Sequence, residues 1–221
     1  MDKPVRTKEL FASFPAPIAP LLASTEYPWE ALPRLKAYLW ELIARGIEGY
    51  TEIAEGVLVG ENVKIYPTAT IEPPAIIGSG TEVRPGAFIR GSVLVGENCV
   101  VGNSTELKNC ILFDNVQVPH YNYVGDSILG YKSHMGAGSI TSNVKSDKTL
   151  VVIKCGDEGI ETGRKKVGAM LGDFVEIGCG SVLNPGTIVG RDSSVYPLSS
   201  VRGIVPEGSI YKKQGEVVKR I

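Results

Sequence analysis

The chain has 221 residues, with 23 lysines and arginines against 24 aspartates and glutamates. That is length enough for one good core, and the near-neutral balance leaves no global field to draw nucleic acid or a membrane surface. Four cysteines, Cys99, Cys110, Cys155 and Cys179, lack CxxC spacing, and two histidines do not complete a zinc pattern, so no metal is expected and the thiols read as free and buried.

The first residues, MDKPVRTKELFASFPAP, show no signal-peptide core, and no apolar run approaches the roughly 18 residues of a membrane span. The protein is therefore read as soluble and cytoplasmic. Residues 1–27, rich in Pro, Ala and Ser, read as an extended arm. In the next stretch, Leu35, Leu39, Leu42 and Ile43 fall at helical spacing and Gly46 stops the helix. With Trp29 and Trp40, this helix is expected to cap the open first coil of a repeat that begins near residue 50.

In that repeat an aliphatic residue recurs every six positions: Ile53, Val59, Ile65, Ile71, Ile77, Val83, Ile89, Val95, Val101 and Leu107. Small or apolar residues stand two positions before each. After a break the pattern resumes at Leu171, Ile177, Leu183, Val189, Val195 and Val201. One large and one small inward position per six residues suit a strand and a turn on each side of a triangular solenoid, with three units to an 18-residue coil. Gly60, Gly78 and Gly96 repeat at that coil length, as stacked turns should.

Coil arithmetic then stacks side chains. Arg90 follows inward Ile89 and Lys108 follows inward Leu107, so the two cations lie one above the other, about 4.8 Å apart. Like charges at that distance invite an anion such as a phosphate. In the next coil, "VPHYNYVGD", the hexad slips by one, with Phe113 followed by Val118 and Val124. A slip re-aims side chains, which places His120 near the cations as a candidate proton acceptor. Glu106 or a backbone carbonyl would fix its tautomer. Between Ser142 and Leu171 the hexads fail, and "KTLVVIKCGDEGIETGRKKVGAML" reads as a protruding hairpin around Gly156 to Gly159 with a local cluster of lysines and Arg164.

The hexapeptide rule resembles that of the left-handed parallel β-helix acyltransferases. The stretch "ELKNCILFDNVQVPHYNYVGDSILGYKSHMGAGSITSN", with its Lys-to-His spacing and HxxYxGD motif, resembles the glucosamine-1-phosphate N-acetyltransferase domain of the bifunctional UDP-N-acetylglucosamine pyrophosphorylase family. The resemblance implies an all-β fold, a left-handed β-helix over residues 50–205 with a hairpin inserted at about 144–170. An arm and capping helix would fill 1–49 and a tail 206–221. It also implies a homotrimer, with sites in the clefts between subunits, and acetyl-CoA as co-substrate.

Carried over by motif, His120 is the general base. Lys108 and Tyr123 contact the sugar phosphate, joined by Arg90 on spacing or by Arg84 on its local "RPGA" motif. Asn143 lies at the acetyl end, Ala137 offers a backbone contact near the thioester, and Lys166 belongs to the site. His134 replaces a substrate-binding asparagine, Cys179 a serine that contacts coenzyme A, and Pro197 a small residue of its tunnel.

The function implied is acetyl transfer to an amino-sugar 1-phosphate. The alternative is a weakly active or non-catalytic trimeric partner of a separate nucleotidyltransferase. No G-x-G-T-R-type loop is present, so no uridylyltransferase is expected in this sequence. A γ-type carbonic anhydrase would share the fold but needs a third histidine, which the chain lacks.

Overall fold

The computed structural model describes residues 5–155, 158–213 and 216–219. They form a left-handed parallel β-helix of about eight turns, a triangular prism whose three faces are sheets of nine, nine and seven strands. Each full coil gives one short strand to each face. The third coil, for example, runs through Val93–Val95, Val100–Asn103 and Glu106–Lys108. Inward residues from Ile77 to Leu107 and from Leu171 to Val201 are almost fully buried, as the six-residue period predicts. Inward hydroxyls are satisfied within the prism: Thr81 Oγ1 donates to the Gly96 carbonyl at 2.8 Å and Thr105 Oγ1 to that of Val118 at 3.0 Å.

The ladder begins one unit later than the sequence predicts. Ile53 is 52% exposed, because strand Thr51–Ala54 pairs antiparallel with Val57–Val59 as a hairpin on the first face. Its alternation imitates a hexad without entering the prism.

The slip also lies elsewhere. Leu112 pairs with Val95, Val118 with Val101 and Val124 with Leu107, so the shortened unit is the turn at Asn109, between the third and first faces. A second shortening occurs at the same corner in the next coil, since Leu129 pairs with Leu112. Phe113 is not an inward residue. It stands where the equivalent turns carry Gly60, Gly78, Gly96, Gly130, Gly172 and Gly190, each donating its amide to the coil above; Phe113 donates to Leu129 at 2.8 Å. Its ring points away from the prism and meets Phe11 at 4.7 Å and Phe14 at 6.4 Å.

Those phenylalanines belong to the N-terminal segment, which is not an extended arm. It holds helices α1 (Thr7–Leu10) and α2 (Ala19–Ala23), a 3-10 turn (Pro28–Glu30) and helix α3 (Leu32–Arg45). Leu10, Phe11, Ile18, Leu21 and Leu22 are buried. Asp173 fastens the segment: its carboxylate accepts the Ala12 and Tyr131 amides at 2.8 Å each, while its own amide donates to Leu10.

Helix α3 turns Leu35, Leu39 and Leu42 inward and ends at Gly46, as the sequence predicts. It packs beside strand Val93–Val95 on the first face rather than over the prism's end. Accordingly, the outward residues Leu58, Ile76, Leu94, Ile111, Ile128, Met170 and Ile188 of that face are buried as well. Burying such an apolar side chain is worth about 1.5–3 kcal/mol, so this column gives the first face a second core. Trp40 does lie at the first coil: its ring fills the space that a Cβ on Gly56 would need. Trp29 is buried and stacked on Tyr27.

The insertion forms an antiparallel hairpin, Val152–Cys155 with Glu158–Glu161; its turn residues Gly156 and Asp157 lie outside the described residues. It folds back along the prism instead of protruding, with Val151 and Ile153 fully buried beside Gly186. Residues expected as a tail add strands Ser209–Lys213 and Glu216–Lys219 to the second face. Cys99 and Cys110 are buried, whereas Cys155 is half-buried and Cys179 exposed. Among the described residues no helix is long and apolar enough to cross a membrane.

Candidate active site

The third face carries the first group of chemistry-bearing side chains. Ile89 pairs with Leu107 and Leu107 with Val124, which sets Arg90, Lys108 and Gly125 in one outward column. Each cation meets an acid from the coil that comes after it. Arg90 Nη1 donates to Glu106 Oε1 at 2.6 Å, and Lys108 Nζ to Asp126 Oδ2 at 3.3 Å. Glu106 therefore serves Arg90. It projects onto the third face beside Leu107, whereas His120 stands at the preceding corner, and the imidazole has no hydrogen-bond partner among the described residues.

Asp126 is the hub of this face. Its side chain is only 4% exposed, and besides Lys108 it accepts Asn109 Nδ2 at 2.7 Å and Asn143 Nδ2 at 2.5 Å. A carboxylate buried to this degree is tolerated because charged and amide donors surround it. The HxxYxGD motif contains Asp126, yet the sequence alone gives it no role; the signal available is its place directly after the motif's glycine.

Asn143 Nδ2 also donates to the Tyr123 hydroxyl at 3.2 Å. The Tyr123 ring lies across Gly125, where a Cβ would collide with the phenolic oxygen. Burial, reinforced by Asp126 and Glu106, pushes the Tyr123 phenol above its ordinary value, so it stays protonated and able to donate. Lys166 is exposed next to this group, paired through its backbone with Val144.

A second group lines the edge between the second and third faces. Tyr121 donates its amide to Asn103, Gly138 to His120, Gly180 to Ala137 and Leu198 to Cys179, all at 2.8–3.0 Å. His120, Ala137, Cys179 and Pro197 thus stand one per coil in a single line, about 4.8 Å apart. The corner turns on a residue of positive φ in each coil: Tyr121, Gly138, Gly180 and Leu198 at 51°, 70°, 67° and 59°.

His120 is exposed on this edge. Its amide donates to Asn122 Oδ1 at 3.1 Å, and the buried Asn122 reaches the next coil through Nδ2 to the carbonyls of Gly136, at 2.9 Å, and Ser139, at 3.1 Å. Asn122 thus ties the His120 backbone to the next coil, a link that no feature of the sequence singles out. The Ala137 amide, one step above His120, has no acceptor among the described residues.

Two residues expected at the site lie on the second face instead. Arg84 Nε donates to Glu82 Oε2 at 3.1 Å, and His134 Nδ1 is 2.8 Å from Glu176 Oε2. Within one chain the structure therefore groups Arg90, Lys108, Tyr123 and Asn143 on the third face. It leaves Arg84 and His134 around the corner.

The family model described as the GMPPB C-terminal domain matches residues 71–205. The chain belongs to this family. The GMPPB C-terminal domain match begins within the first coil and takes in every third-face and edge residue named above. The "Bifunctional protein GlmU" of Methanococcus maripaludis is 33% identical over 195 residues, 87% of this chain and 47% of that protein. The "Bifunctional sugar-1-phosphate nucleotidylyltransferase/acetyltransferase" of Sulfurisphaera tokodaii is 30% identical over 166 residues, 70% of this chain and 41% of that protein. The chain thus spans about half the length of the curated relatives it matches. Among solved structures, the UDP-N-acetylglucosamine acyltransferase of Campylobacter jejuni aligns with a TM-score of 0.52 at 16% identity, covering 75% of this chain and 71% of that one. That likeness is one of fold.

Proposed function

We propose that the chain is an acetyl-CoA-dependent N-acetyltransferase of an amino-sugar 1-phosphate. The observation that carries the reading is the presence of two lines of residues on neighbouring parts of the prism, an edge bearing an exposed imidazole with no hydrogen-bond partner among the described residues and a face bearing Arg90, Lys108 and Tyr123. The Sulfurisphaera tokodaii relative, named for both sugar-1-phosphate nucleotidylyl and acetyl transfer, supports it. Arg90 and Lys108 hold the sugar phosphate, with Tyr123 and Asn143 donating to the sugar. The His120 ring nitrogen accepts the proton that the 2-amino group sheds as nitrogen attacks the thioester carbon. Collapse of the tetrahedral adduct breaks the carbon–sulfur bond, and the coenzyme A thiolate takes that proton from the imidazolium. In this reading the Ala137 amide stabilises the oxyanion, a contribution of about 3 kcal/mol when one such donor is removed elsewhere. Cys179 and Pro197, further along the edge, line the coenzyme A arm.

The first face is sealed by the chain's own N-terminal segment, so other copies would meet the second and third faces and the edge between them. Tyr121 and Leu198, 64% and 85% exposed, stand on that edge. A cytoplasmic homotrimer with the site completed between subunits accords with this reading, and so does cooperation with a separate nucleotidyltransferase.

A melting curve with and without acetyl-CoA tests the assignment. Ligand at one hundred times its Kd adds about 2.7 kcal/mol of stability. An unmoved curve would instead favour a non-catalytic β-helix partner of a nucleotidyltransferase.

A further inference from the structure

The outward column of the third face continues beyond the proposed acetyl-transfer site. Thr141 pairs with Leu183 and Leu183 with Val201, so Ser142, Asn184 and Arg202 extend the line of Arg90, Lys108 and Gly125. Arg202 stands four coils from Lys108, about 19 Å along the prism.

The inserted hairpin walls this end of the column. Its first strand rests on two corner glycines: a Cβ on Gly186 would sit 2.9 Å from Val151, and one on Gly203 would sit 3.4 Å from the Lys154 carbonyl. Two adjoining cavities lie here, of about 280 Å³ and 150 Å³, which share Lys145, Pro185 and Arg202; the hairpin strand lines the smaller, and the segment leading into it lines the larger. The larger adds the hydroxyls of Ser142 and Ser146, and the smaller adds Lys154; Asn184 lines the larger one too, with its Nδ2 already donating to the Ser200 hydroxyl at 3.0 Å and the Val201 carbonyl at 2.9 Å. At about 30 Å³ per water, the larger cavity exceeds what a lone anion fills.

Charge is the second observation. The other third-face cations, Arg90 and Lys108, are each paired with a carboxylate. Around these cavities three cations face one acid, Asp147. Asp147 is held by the Thr149 amide and hydroxyl at 3.0 and 2.8 Å and bridges to Lys145 at 3.3 Å. Arg202 and Lys154 have no acidic partner among the described residues. Two cations without an acidic partner among the described residues, set beside serine hydroxyls in a walled groove, make a site for a multiply charged oxyanion.

We propose that this groove holds a phosphate or diphosphate group of a nucleotide-bearing ligand, gripped by Arg202, Lys154 and Lys145. It is distinct from the sugar-phosphate position at Arg90 and Lys108, and it does not depend on acetyl transfer. Two sources offer that chemistry, the adenosine phosphates of coenzyme A and the diphosphate of a nucleotide sugar.

The test is calorimetric titration of the full chain with inorganic pyrophosphate. The parent and an Arg90→Gln/Lys108→Gln variant should both bind saturably, with affinity falling as salt rises. Arg202→Gln/Lys154→Gln should lose at least tenfold in affinity with an unchanged melting temperature, since both side chains are exposed. Competition then names the source. Displacement by coenzyme A but not by dephospho-coenzyme A assigns the 3′-phosphate, and displacement by UDP assigns a diphosphate. No saturable binding by the parent, affinity unaltered by Arg202→Gln/Lys154→Gln, or no displacement by any of these nucleotides would overturn the proposal. A protein that binds pyrophosphate here yet transfers no acetyl group would leave this site standing and sink only the enzymatic reading.

Discussion

Removing the Asp126 carboxylate should destabilise the fold well beyond an ordinary surface substitution. In Asp126→Ala, Lys108 keeps a largely buried side chain, 26% exposed, but loses its counter-ion, and the Asn109 and Asn143 amides lose their acceptor. Breaking a buried ion pair by deleting one partner costs about 3–5 kcal/mol. Because Lys108 reaches water, we take the lower end, about 3 kcal/mol. For a chain of this size each kcal/mol moves the melting temperature by about 2–4 °C, so a fall of about 6–12 °C is expected. Urea unfolding at several protein concentrations measures it free of any contribution from assembly. Lys108→Met and the double variant complete a cycle whose coupling energy should exceed about 1 kcal/mol. A loss below about 0.5 kcal/mol for Asp126→Ala, or strict additivity with Lys108→Met, would refute the hub.

Gly125→Ala should leave the fold within about 1 kcal/mol, since the flexible Tyr123 tip can yield, yet it should move that ring off Asn143 and lower acetyl transfer; a variant with parental activity would show that the ring's position is unimportant. Phe113→Ala should cost about 3–5 kcal/mol and expose the N-terminal segment to limited proteolysis, detected as early cleavage before helix α3. Burial raises the Asp173 carboxyl above its ordinary value, so the folded state holds the proton more tightly and this group's contribution to stability falls as pH rises through the window just above 3.8; Asp173→Asn should flatten that slope in urea titrations. Iodoacetamide should label Cys179 quickly and Cys110 not at all, with Cys99 protected by burial that lifts its thiol to about 12; coenzyme A should shield Cys179, and labelling that ignores it would remove Cys179 from the donor site.

The prism is legible in the sequence because a fixed period dictates both burial and stacking. Knowing only that Ile89 and Leu107 point inward places Lys108 over Arg90, and the same arithmetic aligns Pro197 with Cys179 and, once the shortened turns are located, Ala137 with His120; the insertion stands between these pairs, and strand pairing joins them. Those turns are harder to read. Leu112 and Phe113 are adjacent apolar residues, so two registers fit the letters, and only strand pairing shows that Phe113 takes a glycine's place in order to hold the N-terminal segment. That segment reads wrongly as an arm because proline and alanine dominate its composition, while its few large residues, Leu10, Phe11, Ile18, Leu21 and Leu22, are buried by tertiary contact with no local period. Asp126 escapes for a related reason. Its importance lies in three partners drawn from separate positions, and no spacing rule marks such a convergence.

The most direct test of the central claim is coenzyme A release from acetyl-CoA with glucosamine-1-phosphate or galactosamine-1-phosphate as acceptor, measured for the parent and for His120→Ala. The account predicts release that requires the amino sugar and falls by about 10²–10⁴ in the variant. Release that His120→Ala leaves intact would contradict the assignment of the base, and no release with either acceptor would contradict the proposed reaction itself.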